Sequence, residues 1–205
     1  MKNLTNKYLL PHGYISWTQM STWEQNKDRY IREYMEGGKR LDTKALRFGK
    51  SIATLIEENK HHVILPNLVT YEHPEYEIRT EIEGVPILAK IDSYSEELGT
   101  FREYKTGKIA WTAKKVYAHG QLLFYATCLD AIGKKVEMCY LDWLPTREFA
   151  EEGLWNEMDK RLGLTGEIYT FERYFDDREI ENMKERIKTT AEEITETYKQ
   201  ILATI

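Results

Sequence analysis

Asp92, Glu103 and Lys105 are the residues of this chain whose types and spacing point to chemistry; they lie within AKIDSYSEELGTFREYKTGK, residues 89–108. Alternate side chains of an extended strand share a face, so Glu103 and Lys105 project together. Asp92 lies on the preceding strand, across a short turn centred near Glu96-Glu97, and a hairpin there stands it beside Glu103. Two carboxylates that close repel strongly in a low dielectric, so the pair needs a cation or one member takes a proton. Mg²⁺ or Mn²⁺ suits such a pair, because hard divalent cations take carboxylate and carbonyl oxygens. An ammonium on the same face can orient or help deprotonate an attacking water and offset charge building on a phosphate. Metal, water and ammonium together describe hydrolysis of a phosphodiester. A solvated, salt-bridged strand accounts for D…ExK taken alone, since acid-x-lysine is a common pattern.

The flanks add to the pattern. Thr106-Gly107-Lys108 follows Lys105 directly, and sixteen residues beyond Lys105 comes Gln121, with Tyr125 one helical turn later on the same face. An amide and a phenol placed there can hold a phosphate or a base. Trp111 and Tyr104 flank a basic segment and can stack on an unpaired base, although Tyr104 projects opposite Glu103 and Lys105 and reads as core. His61-His62 and His73 lie in a loop-like stretch and read as surface histidines rather than metal ligands; His119 reads as helix surface. There is no phosphate-binding glycine loop, no G-x-S-x-G and no dinucleotide fingerprint, so this chain carries no ATP-driven engine of its own.

These residues need a scaffold. The 205 residues are 41% apolar and 31% charged, which excludes a disordered chain and fits one folded unit over 1–205. No apolar run approaches the roughly 20 residues of a membrane span. The N-terminus has no leader-like apolar stretch, and two cysteines, Cys128 and Cys139, do not make a disulfide framework, so a reduced cytoplasm is the expected location. Net charge is −5, from 34 acidic and 29 basic residues, which argues against a general nucleic-acid coat. Two segments are basic nonetheless: Lys39, Arg40, Lys44, Arg47 and Lys50 against Asp42, and Arg102, Lys105, Lys108, Lys114 and Lys115 against Glu103. Periodicity predicts helices over 17–36 and 42–60, the second capped by Asp42 or Thr43 and weakened by Gly49. Strands follow at 77–82 and 85–94 around the turn Glu83-Gly84, then at 98–105. A helix over 113–133, strands at 135–144 and 167–175, and a last helix from Asp176-Asp177 complete the order. That order implies an α/β fold, a mixed sheet with helices on both faces. The last helix repeats apolar residues at 3/4 spacing from Ile180 to Ile201, either to pack along the domain or to meet a partner as a coiled coil.

The combination resembles the RecB-like branch of the PD-(D/E)XK nucleases, which includes phage recombination exonucleases and CRISPR-associated ones. Asp92, Glu103, Lys105, Gln121 and Tyr125 match that family's D, (D/E)xKTG and QxxxY motifs; ISWTQMSTWEQNKDRYIREYM (15–35) and ALRFGKSIATLIEE (45–58) resemble its opening helices. The resemblance implies a restriction-endonuclease-like fold with a nuclease core over about 15–145, followed by a strand and long acidic helix at 167–205. It also implies catalysis by Asp92, Glu103 and Lys105, Mg²⁺ or Mn²⁺ held by Asp92, Glu103 and the Tyr104 carbonyl, and DNA contacts from Gln121, Tyr125, Lys108, Lys114 and Lys115.

Three departures stand out. The histidine that relatives place four residues after the helix glycine is Ala53 here, so Glu57, one turn on, is the expected substitute ligand, with Glu58 behind it. The glycine two before the aspartate is Lys90, which can crowd the site, reach DNA or stand in for the ion. Asn26-Lys27 replaces a Cys-Pro of the cluster-bearing relatives, so no iron–sulfur cluster is expected. The expected activity is therefore a metal-dependent exodeoxyribonuclease of recombination, repair or phage DNA processing. The alternative is an inactive DNA-binding or interaction module on the same fold. A helicase or annealing protein docking on the acidic last helix is a third reading, and a ring-forming homo-oligomer and a monomer fit these motifs equally.

Overall fold

The turn at Glu83-Gly84 sets the register of the sheet. Both residues take positive φ, 51° and 74°, as in the two-residue loops whose twist matches their flanking strands. In this computed structural model, which describes residues 7–149 and 161–204, the turn joins β1 (His73–Ile82) to β2 (Val85–Ser95), pairing Ile82 with Val85 and Ile78 with Ala89. β3 (Thr100–Gly107) returns antiparallel to β2, but their ladder spans only Ser93–Ser95 against Thr100–Arg102. β4 (Met138–Phe149) lies parallel to β3, from Arg102↔Tyr140 to Gly107↔Pro145. A parallel pair needs a crossover, here α4 (Ala113–Tyr117) and α5 (Gly120–Ala131). The far edge of β4 carries β5 (Arg161–Leu164) and β6 (Tyr169–Tyr174), both antiparallel to it. The result is the expected mixed sheet, six-stranded among the described residues.

Helices cover both faces. On one, α6 (Asp177–Ala203) buries Ile180, Met183, Ile187, Ala191 and Ile194 in a core shared with Leu122 and Leu129 of α5 and Ile78, Ile87 and Ile91 of the sheet. On the other, α3 (Lys44–Glu57) buries Ile52 and Ile56 against Leu65, Leu68 and Leu144. Gly49 weakens this helix by propensity, yet it faces β3 closely: a Cβ there would stand 3.2 Å from Thr106 Oγ1, so that hydroxyl would have to give by a few tenths of an ångström. Thr43, not Asp42, caps α3 by accepting from Leu46 N–H.

Several element boundaries differ from expectation, β1 beginning at His73 rather than at residue 77 among them. The helix expected over 17–36 is α1 (Trp17–Gln25), α2 (Lys27–Tyr30) and a π-helical turn over Ile31–Met35. The break falls at Asn26, whose extended backbone and side-chain bond to Arg29 N–H make it the cap of the second piece. The helix expected over 113–133 breaks at Ala118-His119. Gly120 opens α5 there because a Cβ would fall 2.3 Å from the Trp17 ring. β4 starts later and runs on to Phe149, and the short β5 was not anticipated. Residues 1–6, which begin the stretch read for a leader, and Ile205 lie outside the described residues. Among those that are described, no helix is long and apolar enough to cross a membrane.

The apolar stripe of α6 is buried inside the domain from Ile180 to Ile194, the first of the two readings that its spacing left open. Removing residues 176–205 strips Ile180, Met183, Ile187 and Ile194 from the core together with Ala191, a loss of about 6–12 kcal/mol for the four large side chains, as large as the whole stability of a typical domain. The shortened chain should give insoluble protein or no cooperative thermal transition by circular dichroism, rather than a folded core.

Candidate active site

The site forms where the β2–β3 ladder stops. Past Ser93 and Arg102 the two strands no longer pair, and Tyr104 N–H donates instead to Asp92 Oδ2 at 2.8 Å. The aspartate carboxylate thereby takes the place of a strand partner, beside Glu103. Glu103 is 1% exposed. Its Oε1 accepts from Lys105 Nζ at 2.5 Å, Lys105 Nζ also donates to Gln121 Oε1 at 2.8 Å, and Gln121 Nε2 donates to Tyr125 Oη at 2.8 Å. One unbroken chain thus links the β3 carboxylate to the α5 phenol, because two-residue spacing on the strand and four-residue spacing on the helix aim both pairs at each other.

The charges in this chain perturb one another. Burial, then the Glu103 charge, pushes the Asp92 carboxyl well above the usual range; Lys105 and the Tyr104 N–H pull the other way without prevailing. Burial lowers the Lys105 ammonium, but the charges of Glu103 and Asp92 outweigh it and hold the group above an ordinary lysine. Burial, then the Glu103 and Asp92 charges, keeps the Tyr125 phenol protonated. Glu103 Oε2 is buried with no hydrogen-bond partner. These groups line a cavity of about 450 Å³, closed on the opposite side by α3, where Ala53 and Glu57 face in, and by Glu75 of β1.

The structure therefore brings together Asp92, Glu103, Lys105, Gln121 and, behind it, Tyr125, with Glu57 across the cavity; Glu58 turns away to Lys60 at 2.7 Å. Lys108, Lys114 and Lys115 lie outside it: Lys108 pairs with Glu148 at 2.6 Å, Lys114 is exposed, and Lys115 stands 4.1 Å over the Trp111 ring. Arg102 does not belong to a basic surface. Facing opposite to Glu103, it is buried against Asp142 at 2.7 Å and stacked on Tyr140. Tyr104 is core, as its strand position predicts, with its hydroxyl on the Val69 carbonyl at 2.9 Å. Two histidines correct the surface reading. His61 is buried, 5% exposed, and His119 is half-buried between Trp17 and Trp111, where burial and then the Lys105 charge lower its pKa to about 4. Glu75 was missed altogether. It precedes the strand that hydropathy marks, and only its φ of +50° and its place in the cavity wall single it out.

A family model of the PD-(D/E)XK nuclease superfamily matches residues 20–203. The chain belongs to this superfamily. Solved structures with the PD-(D/E)XK fold align over nearly the whole chain. A phage-related exonuclease of Haemophilus somnus aligns with TM-score 0.51 at 13% identity, over 91% of this chain and 81% of its own. A Eubacterium rectale protein provisionally named an exonuclease gives 0.58 at 12% identity, over 98% and 88%. The alkaline exonuclease LHK-Exo of Laribacter hongkongensis, in its complex with dAMP, gives 0.53 at 13%, over 95% and 94%. At such identities the likeness speaks for the fold. A search of curated protein sequences gave no match.

PD-(D/E)XK nucleases generally use divalent metals, and two observations fit a cation here. Glu103 carries a buried oxygen with nothing to accept from, and its charge, after burial, pushes the neighbouring Asp92 carboxyl up. A hard dication relieves both. Among the described residues no three Asp, Glu, His or Cys side chains already converge as a ligand set. Lysines take two of the carboxylates instead, Lys105 on Glu103 and Lys90 on Glu75.

Proposed function

We propose that the protein is a Mg²⁺- or Mn²⁺-dependent exodeoxyribonuclease, hydrolysing phosphodiester bonds in DNA recombination, repair or phage DNA processing. The observation that carries this reading is the buried Glu103, half-satisfied by Lys105 and set beside Asp92 at the cavity wall. Asp92 and Glu103 would hold the cation, with the Tyr104 carbonyl and Glu57 as further oxygen donors. A divalent cation supplies Lewis-acid polarisation of the phosphoryl group and acidifies water.

The chain's own groups do the rest. Lys105 has three N–H donors and spends two on Glu103 and Gln121. The third is left to orient the attacking water or to meet a phosphoryl oxygen. Tyr125 fixes the Gln121 amide with its oxygen toward Lys105, which keeps the ammonium from following the substrate out of line. Gln121 and Tyr125 thereby orient the strand, and Lys108, Lys114 and Lys115 meet flanking phosphates. That the relatives are named as exonucleases, one of them in complex with dAMP, supports DNA as the substrate.

Purified protein should degrade linear duplex or single-stranded DNA in millimolar Mn²⁺, spare covalently closed circles, and stop on addition of EDTA. Nicking of closed circles would make it an endonuclease. No cleavage, with retained DNA binding, would favour the second reading, a non-catalytic DNA-binding module. The ion pair of Lys90 on the strand that carries Asp92 is the observation that favours that reading.

A further inference from the structure

Lys90 forms an ion pair of 2.6 Å with Glu75, a residue of the cavity wall. The two sit diagonally across the β1–β2 ladder, since Lys90 is paired in register with Glu77. Glu75 adopts φ +50°, a left-handed backbone that non-glycine residues rarely take. That conformation sets its carboxylate in the cavity wall with Asp92 and Glu103. Its side chain is only 21% exposed, while that of Lys90 is 54% exposed. The charges reach the rest of the site. Glu75 acts on Asp92 and Glu57 acts on Lys90. Independently of this acidic grouping, the unpartnered Glu103 Oε2 marks the same cavity as one short of a positive charge.

We propose that Glu75 and Lys90 are a matched charge pair that sets the cation affinity of the site. Glu75 is a further carboxylate of the cavity, and Lys90 masks it. The inference rests on the reading that Asp92 and Glu103 hold a divalent cation. With the pair intact, its two charges nearly cancel at the cation position. Removing Lys90 exposes the Glu75 charge and draws the dication in. Removing Glu75 frees an ammonium that repels it. A dication feels twice the force of a single charge, so each loss is worth about tenfold in affinity at the short distances and intermediate screening of such a wall. Lys90 is also the exposed member, free to leave Glu75 for a phosphate when a DNA strand crosses the site.

The test is a charge cycle read by isothermal titration of Mn²⁺ into the metal-free protein, without DNA. Lys90→Gln should bind Mn²⁺ about tenfold more tightly than wild type. Glu75→Gln should bind it about tenfold more weakly. The double variant should return to within about threefold of wild type. Unchanged thermal midpoints of the metal-free variants establish that they are folded. Fluorescence anisotropy with a short single strand in Ca²⁺ supplies the second readout, in which Lys90→Gln should weaken DNA binding even as it tightens the metal. If Mn²⁺ binds saturably, is lost in Glu103→Gln, and is indifferent to Lys90→Gln and Glu75→Gln, the pair has no such role although the metal site stands. If wild type and Lys90→Gln both fail to bind Mn²⁺ saturably, the metal site itself is refuted and this inference goes with it.

Discussion

Glu103→Gln and Lys105→Ala should each lower the rate of linear-DNA degradation in Mn²⁺ about a thousandfold, the cost typical of removing one group that meets developing charge. The two variants fail for different reasons, and the structure separates them. Glutamine keeps the shape of Glu103 but removes the charge that, after burial, holds the Asp92 carboxyl up. Asp92 then ionises more readily and its charge takes over the pairing of the buried Lys105 ammonium, so the metal-free protein should unfold at about the wild-type temperature. Mn²⁺ binding should be lost by calorimetry. Lys105→Ala does the reverse. It leaves Glu103 Oε1 and Gln121 Oε1 without their donor, beside an oxygen that already lacks one. Uncompensated carboxylates are costly, so the metal-free variant should be less stable and should regain stability on adding Mn²⁺. A gel assay on end-labelled DNA reads the first effect and differential scanning fluorimetry the second. Wild-type activity in either variant would assign the cleavage to a contaminant.

The second large effect lies on the opposite face of β3. Asp142→Ala should cost about 3–5 kcal/mol. Asp142 is 1% exposed and accepts from Arg102 at 2.7 Å and from Thr170 at 2.5 Å. Arg102 is itself buried and enclosed by Tyr140 and Tyr71, with guanidinium-to-ring distances of 4.4 and 5.3 Å. With its side chain only 10% exposed, its charge has little access to water once the carboxylate is gone. For a chain of this length the loss is a fall in thermal midpoint on the order of 10 °C. Arg102→Met added to Asp142→Ala removes the stranded charge and should recover more than half of the loss. An equal or deeper loss in the double variant would show that packing, not charge, governs the site. Specific activity per folded molecule should hold in both, because Arg102 points away from the cavity.

Much of this arrangement was legible in the chain. The motif residues reach one another because strand and helix periods are rigid rules. Glu103 with Lys105, and Gln121 with Tyr125, could be paired without coordinates, and so could the tight turn at Glu83-Gly84. What was not legible depends on three dimensions. Asn26 reads as one more polar residue in a helix until its side chain is seen capping the next turn. Arg102 belongs by composition to a basic segment, and only the alternation of β3 sends it into the core. His61 and His119 sit in polar-looking stretches, and burial there comes from neighbours remote in sequence or across a break in the helix. Glu75 carries no spacing signal at all. Its place in the cavity wall follows from a backbone angle and from what lies across the ladder.

The position of α6 also bears on biosynthesis. The strands that carry the carboxylates emerge from the ribosome well before the helix that seals their apolar backing, since Asp92 and Glu103 precede Asp177 by more than seventy residues. At translation speeds of about 5–20 residues per second, the half-made chain spends several seconds with Ile78, Ile87 and Ile91 uncovered. During that interval it should be a client for chaperones that hold exposed apolar sheet. On the proposed function, the nascent polypeptide should also be unable to cut DNA until that helix has docked.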